Sequence, residues 1–214
     1  MLVVSHYQLQ ESASRAQPWD KTTYAENAGE YHSFRDNPEL IREVLEDFKP
    51  HESQKAVRLF YEMLEWLNRK DGSLETNDCL LRPPEANLDD QFLFSRKTRG
   101  RIEFFMRQLE FNLLDEACLW LYRMLSIHLQ VERPDFQAAI FDIAACPTDY
   151  LDLPGGRDER TGIRFCIYFN AYGNGDAEAW DNLHTAFDGL FEAFKAVERS
   201  MSGGYVKFPQ SGSA

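Results

Sequence analysis

Six residues, RKTRGR from Arg96 to Arg101, form the one basic cluster of an acidic chain. A guanidinium group offers a planar fork of donors that grips phosphate or carboxylate with two parallel hydrogen bonds. Arg96, Arg99 and Arg101 are therefore the candidate anion-binding residues, with Arg99 and Arg101 the stronger pair. The helical spacing of the residues that follow places the cluster just ahead of a helix, whose N-terminal dipole repels cations by about 0.3–1 kcal/mol per charge. Something must offset that repulsion: either acidic residues of the preceding helices, or an anionic ligand.

A second stretch, IRFCIYFNAYGNGDAEAW from Ile163 to Trp180, reads as strand, glycine-bearing turn and helix start, the local order of a phosphate loop. Neither G-x-x-x-x-G-K-[ST] nor G-x-G-x-x-G is present around Gly173 and Gly175, and no lysine follows to meet the outer phosphates. Asp176, Glu178 and Asp181 fill the first helical turns, where carboxylates satisfy the positive end of the dipole and repel phosphate. The turn reads as a capped connection, and no nucleotide or other cofactor is expected there.

Metal chemistry has weak support. Asp181-x-x-His184 sets two ligand types at i and i+3, and His128 with Glu132 sets two more at i and i+4. A di-metal bundle needs two E-x-x-H helices and two further glutamates, which this sequence lacks. Both histidines read as border residues making ordinary hydrogen bonds, and no metal is expected. Cys79, Cys118, Cys146 and Cys166 are dispersed without C-x-x-C spacing and read as reduced core thiols. No G-x-S-x-G, H-E-x-x-H or Ser/His/Asp pattern marks a nucleophile or a zinc centre.

The remaining polar constellations are acidic. Asp89-Asp90 sits in a long irregular stretch, and DYLDLPGGRDER contributes Asp149, Asp152, Asp158 and Glu159 around Tyr150. With a net charge of −12 and an isoelectric point near 4.9, the surface repels nucleic acid and anionic lipid and attracts basic proteins. These seven residues, with Tyr150 as aromatic anchor, are the expected partner-binding set.

The elements that must position these groups follow from patterning. The 214 residues, 43% of them apolar, suffice for one core, and no run approaches the ~18 apolar residues of a membrane span. Residues 1–35 read as an N-terminal arm, with LVVSHYQLQ as an edge strand. Residues 36–203 read as a single globular α+β domain, and 204–214 as a polar tail. Within the domain, Asn37 and Pro38 open a helix that Pro50 ends, and Val57, Phe60, Met63, Leu64 and Leu67 mark a second, giving an αα-hairpin. From Ser73 to Ser95, with Pro83-Pro84 inside, the pattern predicts a long connection with at most a short strand near Phe92 to Phe94. A stripe through Ile102, Phe105, Leu109, Leu113, Ala117, Trp120, Met124 and Ile127 predicts a central buried helix. The alternative is a break near Asn112, with RIEFFMRQLEF as a strand. FQAAIFDIAAC fits helix or strand, whereas Ile163, Phe165, Ile167 and Phe169 alternate as a strand. Asp176 to Gly203 closes the pattern as an amphipathic helix.

The fold class expected is thus α+β and mostly helical: αα-hairpin, central buried helix and C-terminal amphipathic helix on a small antiparallel sheet. The expected function is non-enzymatic: an acidic cytoplasmic binding protein, of the bacterial immunity or antitoxin-like kind, that occludes a basic protein such as a nuclease toxin. Carboxylates steer the encounter and buried rings carry the affinity. The alternatives are a small enzyme on a phosphorylated or nucleotide substrate, using the arginines as clamp and His128 or His184 as acid/base, and a homodimeric assembly subunit joined through Phe187, Phe191 and Phe194. Direct binding to nucleic acid or membrane is not expected.

Overall fold

A computed structural model describes residues 2–9, 14–19, 33–44, 46–88, 93–132, 135–153, 155–156 and 158–202. Four long strands supply the frame: β3 (Leu74–Ala86), β4 (Arg96–Met106), β5 (Ala139–Leu151) and β6 (Arg160–Gly173). Two shorter strands, β1 (Leu2–Leu9) and β2 (Arg15–Pro18), follow one another along the free edge of β5 and run parallel to it. The sheet is therefore mixed, in the order β1-β5-β6-β4-β3, with β2 sharing the β1 edge and all other pairings antiparallel.

The helices are α1 (Leu40–Val44), α2 (Lys55–Leu67), α3 (Leu109–Asn112), α4 (Asp115–Glu132) and α5 (Asp176–Ser202), with a 3-10 turn at Glu46–His51. Among the described residues 42% are helical and 35% lie in strands, so the protein is a balanced α+β structure and not mostly helical. Nor is its sheet small or wholly antiparallel. Two misread segments account for the difference. β3 occupies the stretch expected to be a loop, because Pro83-Pro84 lies on an edge strand, where missing donors leave no ladder bond unmade. Two register shifts, at Thr76/Asp78 and Arg82/Glu85, hide its alternation. β4 takes the opening residues of the expected central helix: Thr98, Gly100, Ile102, Phe104 and Met106 alternate inward with period two.

The break near Asn112 is real. Its amide donates to Met106 O and accepts from Met106 N at 2.9 Å, which fastens α3 to the end of β4. What remains of the helix, α4, is a flanking element, with Ile127 53% exposed. The central position belongs to α5, which packs α2 and α4 at its sides and the sheet below. Phe187 meets Phe169 edge-on at 4.9 Å and stacks on Phe60 at 5.2 Å, and Phe194 meets Phe104 at 5.2 Å. Phe187 and Phe194 are thus spent on the protein's own core. The first helix of the expected hairpin is shortened to α1 and its 3-10 continuation, which takes Pro50 inside.

Helices α2, α4 and α5 cover one face of the sheet, α3 sits at its end with Leu109 against Tyr150, and the other face curls inward. In a flat sheet β2 and β3 would stand four strand spacings apart, roughly 19 Å. Instead Arg15 on β2 reaches Asp78 on β3 at 3.2 Å, and Gln17 Oε1 accepts from Asn77 at 3.0 Å. The uncovered face is consequently a concavity. No described helix is long and apolar enough to cross a membrane.

Candidate functional site

Strand register arranges the concave face in rows. In one row Asp78, Glu103, Cys166 and Ala144 follow from β3 through β4 and β6 to β5. The next row is Leu80, Arg101, Tyr168 and Asp142, and the next Arg82, Arg99, Asn170 and Ile140. Like charges directly opposite one another destabilise a sheet, so the Asp78–Glu103 pair and the Arg82–Arg99 pair both require counter-charges.

The acidic row has them. Glu103 Oε2 accepts from Arg164 Nε at 2.8 Å and from Arg15 Nη1 at 3.4 Å, and Asp78 Oδ2 accepts from Arg101 Nη2 at 2.8 Å. Arg164 is buried and also donates to Thr148 Oγ1 at 2.8 Å and Pro147 O at 3.0 Å. This network closes the deep end of the concavity. Cys146 and Cys166 lie within it as free thiols whose protons burial holds above the ordinary thiol range.

The basic row is not balanced in this way. Arg99 Nε donates to Glu85 at 2.9 Å, but both side chains are about half exposed, where such a pair contributes little. The Arg82 guanidinium has no partner among the described residues. Arg101 spends one nitrogen on Asp78, while its Nε is buried without a hydrogen-bond acceptor, 3.7 Å from Glu103. These three arginines line a groove of about 280 Å³ together with Leu80, Gly100, Tyr168, Phe169 and Asn170. Gly100 is required here, since a Cβ would lie 2.0 Å from Leu80 O and 2.5 Å from the Phe169 ring.

Of the three arginines singled out in the sequence, Arg99 and Arg101 line the groove and Arg96 does not. Arg96, the first residue of β4, belongs to the other face of the strand, pairs with Asp176 at the start of α5 and donates to Pro84 O at 3.0 Å. Arg82 takes its place, and the signal for it was the β3 pairing that the proline pair concealed. The cluster lies inside a strand and not before a helix, so the dipole penalty does not arise. Its carboxylate partners come from β3 and from α5.

His128 and His184 stand in the helical layer, on the far side of the sheet from Arg99 and Arg101, and they do not converge on the groove. At the glycine turn, Glu178 accepts from Asn174 N at 2.8 Å. No group of three metal-ligating side chains is found among the described residues.

The acidic set divides. Asp89 and Asp90 lie outside the described residues. Asp152, Asp158 and Glu159 are exposed around the β5–β6 connection, with Asp152 in a left-handed conformation at φ 52°. Asp149 accepts from Thr161 Oγ1 at 2.9 Å. Tyr150 is not the exposed anchor the sequence suggested: it is 0% exposed, its hydroxyl donates to Ile163 O at 2.8 Å, and Trp19 packs edge-on against its ring at 5.6 Å. It lies on the concave face of β5 where Trp19, Phe105 and Leu109 cover it, a tertiary fact with no local signal. Burial accordingly holds its phenol proton well above the usual range.

Compared with known proteins, the chain matches no family model, no curated protein and no solved structure.

Proposed function

We propose that this is a binding protein whose concave sheet face captures a small anionic ligand between Arg82, Arg99 and Arg101. The observation that carries the reading is the Arg82–Arg99 cross-strand pair, which lines a concavity with one guanidinium lacking any partner among the described residues. Arginines so placed repel one another in the empty protein, and an anion between them relieves the repulsion. Guanidinium forks supply both the charge and the direction of the hydrogen bonds.

The test is stabilisation by ligand at fixed ionic strength. Phosphate added in place of chloride should raise the melting temperature, since a ligand bound only by the folded state stabilises it by mass action. The double variant R82Q/R99Q should lose that response, whereas R123Q, which alters an exposed arginine on α4 in the helical layer, should keep it. Equal responses in all three proteins would refute the groove as the site.

A second reading, occlusion of a basic protein partner by an inhibitor of the immunity type, draws support from Asp152, Asp158 and Glu159, all exposed beside one another in sequence. Leu88 and Leu93, 89% and 98% exposed on the β3–β4 connection, replace Tyr150 as apolar anchors in this reading. A partner retained by the native protein and eluted by salt should be lost by D152N/D158N/E159Q and kept by R82Q/R99Q. The reverse pattern rejects this reading.

A further inference from the structure

We infer that the anion is a phosphomonoester carrying a planar, hydrogen-bonding ring, the chemistry of a nucleoside monophosphate; this rests on the anion-binding reading above and names its ligand. Three lines of geometry converge. First, the guanidinium groups come from two adjacent rows, Arg82 and Arg99 in one and Arg101 in the next. A carboxylate has two oxygens and one charge to divide among them. A phosphomonoester dianion presents three terminal oxygens, enough to accept a hydrogen bond from each arginine.

Second, the groove's volume of about 280 Å³ is near the lower end for small-molecule sites, roughly 300–1,000 Å³, and much of it would remain empty around a phosphate alone. The rest of the ligand must lie against the other lining residues. Third, those residues suit a ring. Tyr168 follows Arg101 in its row and is packed on Ala144, Cys146 and Cys166, so its phenol forms a fixed wall, with Leu80 on the far side of Arg101. Asn170 projects from the same face two residues on, next to Arg99, and its amide has no hydrogen-bond partner among the described residues. A ring laid on Tyr168 gains stacking, and the Asn170 amide can donate to and accept from its edge.

Calorimetric titration of the full chain at constant ionic strength tests this with four nucleoside monophosphates, ribose 5-phosphate and inorganic phosphate as probes. At least one nucleotide should bind about ten-fold or more tightly than ribose 5-phosphate and phosphate, the gain expected of one stacked base. Y168L and N170A should each reduce that preference, and R82Q/R99Q should weaken every probe. Circular dichroism of each variant establishes that it is folded, and the two single variants serve as independent checks. Equal affinity for nucleotides, ribose 5-phosphate and phosphate would overturn the ring and leave the anion reading standing, as would a nucleotide preference untouched by Y168L and N170A. Failure of every probe to bind would overturn both.

Discussion

Glu103 is the point on which three strands converge, accepting from Arg164 on β6 and Arg15 on β2 while Arg101 lies beside it on its own strand. Removing one partner of a buried ionic network leaves the others charged and unpaired, at a cost of about 3–5 kcal/mol. E103Q should therefore lower the urea-unfolding free energy by an amount in that range, far more than E85Q, which breaks the exposed pair with Arg99. The thiols give a second prediction. Burial, with a smaller contribution from Asp115, raises Cys118 from the ordinary 9.0 to about 12, and Cys79, Cys146 and Cys166 are raised by burial as well. The folded state thus holds these protons to higher pH than the unfolded chain does, so their stabilisation is complete below about pH 9 and is lost as pH rises towards 12. Melting temperatures should fall across that window, and C118A should fall less steeply. At this scale the sequence marked Cys118 and Cys166 as lying in a buried helix and a buried strand, as they do, whereas Cys79, also read as a core thiol, is only half-buried. The sequence could not identify Arg82, Glu103 or the burial of Tyr150, because each depends on which strand lies alongside.

Elements are held to one another by a few buried polar side chains. Asn68, at the end of α2, donates to Leu64 O at 2.8 Å and Thr76 Oγ1 at 2.7 Å and accepts from Thr76 N at 3.1 Å, fixing the start of β3 against the helix. The β2 strand is held at both ends of its reach: backbone bonds to β5 on one side, and Arg15 and Gln17 across the concavity on the other. In R15A the ladder to β5 should survive but open more often. Hydrogen exchange at Trp19 N, which donates to Leu151 O at 2.8 Å, should accelerate while β6 amides remain protected. Unchanged exchange at Trp19 would show that Arg15 does not hold the strand. α5 and β6 were legible because their periods, 3.6 and 2, run unbroken for many residues. β3 and β4 were not: bulges shift the phase of one, and the other carries Phe104, Phe105 and Met106 in succession, which fits a helical stripe and a strand end equally well.

For the whole molecule, charge is unevenly distributed. The chain carries −12 overall, yet the groove end of its concave face carries Arg82 and Arg99, while Arg15, Arg101 and Arg164 on that face are set against Asp78 and Glu103. An approaching anion is repelled at long range and attracted at close range. Salt screens both over about 8 Å at physiological strength, so anion affinity should depend only weakly on ionic strength, in contrast with a basic partner of the acidic surface, whose affinity should fall steeply. Titrations at low and high salt distinguish the two. By itself the sequence determined the acidity, the single core's supply of apolar residues, the long terminal helix and its strand, since these follow from composition and from local periodicity. The tertiary structure alone decided that α5 rather than α4 is central, that the sheet is mixed and curled, and that Arg82 faces Arg99. Those are matters of pairing between segments far apart in the chain, and pairing energy resides in contacts that no local pattern encodes.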